Sequence, residues 1–273
     1  MAGKDYAAIA AKKIVRPAEI KRRPKILIYA RNKKGKTTFG ISAGIDKTLV
    51  IDPENGSDEM KKKNPHVWPI EKWEDIDDVV NYLKYVDHPY EWVVVDGLTK
   101  LANMSLKYVM KLQEERSLDR IPGMVQQRDY GKSGELMKDM LTLFHNMPLG
   151  VVYTAQERQD GAYDDSDDED MDSTEVSYIP DLPRGVRGVA NSLVDVIGRL
   201  YVVKLDGEPP KAERRLWIGE SVKYDTGYRS DFVLPDVVRN PTVPKLVSLM
   251  RTGKLPAPAS KTAAAKRAAP KAP

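Results

Sequence analysis

The sequence contains no cysteine, which excludes disulfides, thiol catalysis and thiolate metal sites. Its three histidines (His66, His88 and His145) are scattered, an arrangement that argues against a histidine-based zinc centre. No apolar run approaches the ~18–20 residues needed to span a bilayer. The opening residues, MAGKDYAAIAAKKIVRPAEIKRRP, lack the apolar stretch of a signal peptide. The expectation is a cytoplasmic protein with no membrane partner. What the sequence does have is charge. Of 273 residues, 31% are charged and 41% apolar, a soluble composition that excludes collagen-like and wholly disordered chains.

The formal net charge is only +4, but the charges are segregated. Met1 to Lys25 holds eight bases and two acids. Gln159 to Glu175 holds nine acids and no base, and Lys254 to Pro273 holds five bases and no acid. The last stretch is Ala/Pro/Lys-rich with nothing large to bury, so 251–273 is expected to be a disordered basic tail. Adjacent carboxylates repel, so the acidic run is expected in a mobile surface loop. Residues 1–24 read as a basic N-terminal segment, and 25–250 as the folded domain.

Pattern places buried strands at Lys25–Ala30 (KILIYA), Thr48–Asp52, Glu91–Asp96 (EWVVVD) and Leu149–Ala155. Val194–Lys204 and Leu216–Ile218 read as further strands. Helices are expected over Lys36–Gly44, Glu74–Val86, Leu98–Glu115 and Gly134–Asn146. Strands apolar on both faces that alternate with helices imply an α/β fold: a mostly parallel sheet covered on both sides.

The first strand runs into Ala30-Arg31-Asn32-Lys33-Lys34-Gly35-Lys36-Thr37-Thr38 and then a helix. This fits the phosphate-loop pattern G-x-x-x-x-G-K-[ST] except at its first position, where Ala30 replaces glycine. Backbone N–H groups of such a loop curl around phosphate oxygens. Gly35 permits close approach, Lys36 supplies a charge to the β/γ-phosphates, and Thr37 offers a hydroxyl to Mg²⁺. Ala30 is tolerable if its φ stays negative. Asp96 ends an apolar strand 60 residues after Lys36, in the manner of a Walker B carboxylate that orients Mg²⁺ through water. The residue after it is Gly97, not a glutamate, so the group that activates water must lie elsewhere. Glu54, in Ile51-Asp52-Pro53-Glu54-Asn55-Gly56 just past the second strand, is the candidate.

These features, ARNKKGKTT, VIDPENG, EWVVVDGLT and VVYTAQER in that order, resemble the RecA-type ATPase core. More narrowly, they resemble the small phage-encoded RecA-like proteins of single-strand annealing and recombination. The resemblance covers roughly Lys25 to Lys204. It implies a fourth strand lying between the phosphate-loop strand and the Walker B strand. It also implies that Gln156, at that strand's end, senses the γ-phosphate, and that the stretch from Glu157 to about Gly188 is a mobile DNA-binding loop. Lys36, Glu54 and Gln156 become the catalytic set, with ATP and Mg²⁺ as cofactors. Single-stranded DNA becomes the partner, together with further copies of the chain in a ring or filament and a single-strand-binding protein. The compartment is then the cytoplasm of an infected bacterium.

The resemblance puts a first DNA loop at Pro122–Lys132, where Arg128, Tyr130 and Lys132 combine cations with an aromatic that can stack a base. Arg184 and Arg187 are candidates for contacting DNA phosphate or a neighbouring subunit's ATP. Nine acids in the presumed second loop would repel DNA within a Debye length of ~8–10 Å. Two other classes remain open. A P-loop nucleotide or nucleoside kinase needs an arginine-rich lid, whereas the loop available here is acidic. A non-hydrolysing DNA-binding scaffold would follow if Ala30 marks a degenerate phosphate loop.

Overall fold

The structure, a computed structural model, describes residues 4–16, 22–56, 60–117, 119–160, 176–207 and 211–256. In chain order the elements are α1 (Tyr6–Lys13), β1 (Lys25–Ala30), α2 (Lys36–Gly40), β2 (Thr48–Asp52), β3 (His66–Pro69), α3 (Asp75–Tyr85), β4 (Trp92–Asp96) and α4 (Leu98–Arg116). They continue with α5 (Gln127–His145), β5 (Gly150–Asp160), β6 (Ser177–Pro180), α6 (Arg184–Leu193), β7 (Val196–Leu205), β8 (Lys211–Trp217), β9 (Gly227–Tyr228), β10 (Val237–Arg239) and α7 (Val243–Thr252).

One sheet organises them, in the order β10-β8-β7-β1-β5-β4-β2-β3. The run from β7 to β3 is parallel throughout, while β8, β9 and β10 add antiparallel pairings at one edge. β5 lies between β1 and β4, the placement the RecA-type resemblance implies.

The side chains of β1 alternate between two cores, as a pleated strand requires. Leu27 and Tyr29 join Val79, Leu101, Met137 and Phe144 beneath α3, α4, α5 and α6. Ile26, Ile28 and Ala30 join Phe39, Leu246 and Leu249 beneath α2 and α7. All six residues of β1 are buried, which is why the strand carries no polar face. Trp73 and Trp92 lie in these cores, with Trp68 packed against the first.

Several boundaries differ from expectation. α5 begins at Gln127 rather than Gly134, so Arg128, Tyr130 and Lys132 stand on a helix and not in a loop. The cause is Asp129: its carboxylate accepts from the Gln126 N–H at 2.8 Å, the reciprocal capping that starts a helix. The same carboxylate is held by Arg120, and both side chains are essentially inaccessible, at 1% and 0% exposed. The stretch expected to be mobile, 157–188, also has order at both ends. β5 runs on to Asp160 and pairs antiparallel with β6, and α6 begins at Arg184. The expectations for 161–175 and 257–273 lie outside the described residues. α7 ends at Thr252, two residues into the expected tail, and α1 within the N-terminal segment buries none of its side chains. Among the described residues no helix is long and apolar enough to cross a membrane.

Candidate nucleotide site

The phosphate loop leaves β1 at Ala30 and turns on two left-handed residues, Lys33 (φ 61°) and Gly35 (φ 97°). Its positive φ is the reason for glycine at 35; a Cβ there would also meet the Arg214 Nε at 2.6 Å, but that exposed side chain can swing aside. Ala30 is fully buried and is not among the residues with positive φ, so replacing the pattern's first glycine introduces no backbone strain.

Lys36 Nζ donates to the carbonyls of Ala30 (3.1 Å) and Arg31 (3.4 Å) and to Gln156 Oε1 (3.1 Å). The register of β1 on β5 sets Ala30 directly opposite Gln156, which brings the two together. Burial pushes the Lys36 ammonium pKa down, while the charges of Asp96, Glu54 and Glu157 oppose that shift.

Thr37 Oγ1 donates to Asp96 Oδ2 at 2.5 Å, and Thr154 Oγ1 donates to Asp96 Oδ1 at 2.8 Å. Burial raises the Asp96 pKa, and the two hydroxyls partly offset it. Glu54 is placed by Asp52, whose buried carboxylate accepts from the N–H groups of Glu54 (3.0 Å) and Gly56 (3.3 Å). That turn lays Glu54 against Gly97, where a Cβ would come within 3.0 Å of Glu54 Oε1. Burial raises the Glu54 pKa and the Asp96 charge adds to it, against Lys36 and a hydrogen bond to Gln156. Lys36, Glu54, Asp96 and Gln156 therefore act on one another at the ends of four parallel strands or their loops.

Glu157, one residue past Gln156, was not singled out by motif. Its side chain is 3% exposed and binds Arg31 of the phosphate loop at 3.2 Å. It also takes two hydrogen bonds from Arg199, at 2.6 and 3.3 Å. The Arg199 guanidinium sits 4.7 Å from the Tyr178 ring centroid and 4.5 Å from that of Tyr224, within cation–π range. Burial works against the Arg199 charge, but Glu157 more than compensates and the pKa is raised.

Beside the loop lies a cleft of ≈ 600 Å³ lined by Gly35, Thr38, Phe39, Arg214, Asn240 and Thr242. Arg214 Nε donates to the Lys34 carbonyl at 3.3 Å. This volume, contiguous with Thr38, suits the nucleoside part of a bound nucleotide. No local signal in KAERRLW ties Arg214 to a loop 180 residues earlier.

The proposed metal ligands fit Mg²⁺ bound with a nucleotide. Thr37 and Asp96 supply one hydroxyl and one half-buried carboxylate side by side. Among the described residues no group of three His, Asp or Glu side chains could hold a metal without help from substrate oxygens and water.

The expected DNA residues are dispersed. Arg128 and Tyr130 are exposed on the first turns of α5, and Lys132 donates to Gln113 Oε1 at 3.1 Å. Arg184 is exposed at the start of α6. Arg187 approaches Asp160 (3.6 Å) and Asp225 (3.9 Å), so its charge ties α6 to the end of β5.

No curated protein matches the chain. Solved structures similar to it include a KaiC-like protein, PH0186, from the hyperthermophilic archaeon Pyrococcus horikoshii OT3. That likeness has 11% identity and a TM-score of 0.38, over 76% of this chain and 82% of that one. The flagellar accessory protein FlaH from Methanocaldococcus jannaschii aligns at 10% identity and a TM-score of 0.38, over 82% of this chain and 88% of that one. Likenesses this loose say nothing of this chain's chemistry. The sequence itself matches the AAA domain family over residues 22–230, a span holding the phosphate loop, Glu54, Asp96 and Gln156, and the chain belongs to that family.

Proposed function

We propose that the protein hydrolyses ATP with Mg²⁺ and acts on single-stranded DNA in phage recombination or repair, annealing or exchanging strands as a ring or filament of identical subunits. The observation that carries the ATPase part is the hydrogen bond between Lys36 and Gln156, with Glu54 and Asp96 beside it. The ammonium that would bind the β/γ-phosphates is already held by Gln156, where β5 leaves the parallel sheet. A bound phosphate competes for Lys36 and releases Gln156, so β5 distinguishes ATP from ADP at Gln156.

Bound Mg²⁺ would offset charge on the β- and γ-phosphate oxygens. The chain's residues do the rest. Thr37 and Asp96 orient the phosphate end, and the loop's backbone N–H groups hold it. Glu54 accepts a proton from water as the water oxygen bonds to the γ-phosphorus. The bond from that phosphorus to the bridging oxygen then breaks, and ADP leaves with the electron pair. A glutamate pKa raised by burial makes a stronger base than an ordinary surface carboxylate.

The single-strand part is supported by the resemblance of the motif order and by the exposed cations and Tyr130 beyond the ATP edge. Phosphate release measured without DNA, with single-stranded DNA and with duplex DNA, at two salt concentrations, tests it. The expected result is stimulation by single strands that weakens with salt. Equal rates in all three conditions would remove DNA from the reading. Transfer of phosphate to a nucleoside acceptor in place of inorganic phosphate release would favour a kinase.

A further inference from the structure

Two adjoining hollows run along the outer side of α4 and share Asn103 and Leu106 as lining residues. The upper one, ≈ 310 Å³, begins at Thr99, Arg158 and Tyr130. The lower one, ≈ 630 Å³, continues past Lys100, Lys107 and Lys111 to Met110 and Val125. At 100° per residue, those three lysines fall within about 40° of one line down the helix, spaced about 10 and 6 Å apart. All three are exposed, and none has an ion-pair partner among the described residues. Leu106, Met110 and Val125 give the groove an apolar floor, and Tyr130, 58% exposed, stands at its rim.

We infer that this groove is the track for single-stranded DNA. The inference rests on the reading of the protein as a single-strand-dependent ATPase, and it assigns the contact to α4 in place of the two loops expected from sequence. A row of cations beside an apolar floor and one exposed aromatic matches a strand that presents phosphates on one side and base faces on the other. A duplex, with its bases stacked inside, offers nothing to the floor or to Tyr130. Arg158 at the upper end is partly committed to Asp181 at 3.4 Å, so the lysines carry most of the phosphate contact.

The groove is wired to the nucleotide edge by hydrogen bonds. Thr99 Oγ1 accepts from the Gln156 backbone N–H at 3.1 Å and donates to the Asp181 carbonyl at 2.9 Å. A strand seated at Thr99 therefore presses on the support of the residue that holds Lys36. That contact gives DNA a route to hydrolysis that runs through α4.

The test uses the full chain and a fluorescent oligo(dT), with binding followed by anisotropy across a salt series. Lys100→Gln/Lys107→Gln/Lys111→Gln is compared with a control of equal charge change on other exposed lysines, Lys62→Gln/Lys72→Gln/Lys84→Gln, and thermal melts verify that both fold. The α4 variant is expected to bind at least tenfold more weakly and to flatten the log–log salt slope by about 2, the value for three phosphate contacts on a single strand. Tyr130→Ala should weaken binding by about tenfold, with Tyr130→Phe close to wild type. Thr99→Val should bind oligo(dT) but lose the stimulation of phosphate release. Equal loss in the control variant, or an unchanged slope in the α4 variant, overturns the groove while leaving the single-strand reading in place. Failure of the wild-type protein to bind oligo(dT) removes that reading and the groove with it.

Discussion

Two clusters of charge in this protein have opposite characters. At the nucleotide edge, Lys36, Glu54 and Asp96 are each pushed toward neutrality, the lysine downward and the carboxylates upward, with burial the leading cause in each case. Beneath the α4–α5 turn, Arg120 and Asp129 form an ion pair shut away from water. There the Arg120 hydrogen bond and the Gln126 N–H hold the Asp129 carboxyl below the usual range despite its burial. The first cluster is held in tension and has room for a ligand. The second is sealed from water and fixes where a helix begins. Charge thus serves binding where a ligand can reach it, and architecture where it is sealed from water, even though Arg120 Nε and Nη1 and Asp129 Oδ1 make no hydrogen bond there.

Substitutions can break this contrast. The largest effect is expected from Glu54→Gln, which should still bind ATP but turn it over about 10²–10⁴-fold more slowly, as read by single-turnover phosphate release. Rapid turnover by that variant would move the base to another residue. Next comes Arg120→Met, which strands a buried carboxylate and should cost about 3–5 kcal/mol in urea unfolding. A loss below about 1 kcal/mol would mean that Arg120 does little to stabilise the buried Asp129 carboxylate.

Acid separates the two clusters by sign. The Asp129 pKa is depressed on folding, so its contribution is present above the unfolded value of about 3.9 and is lost as pH falls through the lower folded value. The Glu54 and Asp96 pKa values are raised, so the folded state binds protons more readily there. Their contribution to stability grows as pH falls from the raised values into the ordinary carboxylate range. Glu54→Gln should therefore flatten the decline of Tm between the ordinary carboxylate range and neutrality, and an unchanged profile would count against the raised pKa. The smallest effect is expected from Ala30→Gly. It restores the common phosphate-loop residue in a strand that does not need it and should cost about 0.5–1 kcal/mol with no gain in ATP affinity.

Legibility in the sequence follows the range of the interactions. The phosphate loop, Asp96 and the parallel order were readable because each is a short contiguous pattern of apolar strand, turn and helix. Glu54 is placed by its position just past the second strand, and Gln156 only by what the RecA-type resemblance implies. The start of α5 was missed because Gly131 and Gly134 lower helix propensity there, while the capping contact from Asp129 and its burial on Arg120 override it. The resemblance puts the stretch from Glu157 onward in a loop, and Glu157–Asp160 carries no apolar residue to signal otherwise. It is a strand nonetheless, because β6 supplies the missing backbone partners. Glu157 and Arg214 depend on contacts 42 and 180 residues away, and nothing adjacent to them announces those contacts.

The continuity of β5 has a mechanical consequence. The same strand is clamped in the sheet from Gly150 to Ala155, meets Lys36 at Gln156, meets Arg31 and Arg199 at Glu157, and ends beside Arg187 at Asp160. An extended strand cannot shorten, and at about 3.3 Å per residue its outer part reaches some 13 Å beyond the phosphate sensor. If Gln156 answers to the γ-phosphate as proposed, a small rotation there would be carried outward as a larger sweep at Asp160. On that reading the protein would need no separate hinge to make phosphate chemistry felt at a distance, because the beam that senses it would also be the beam that moves.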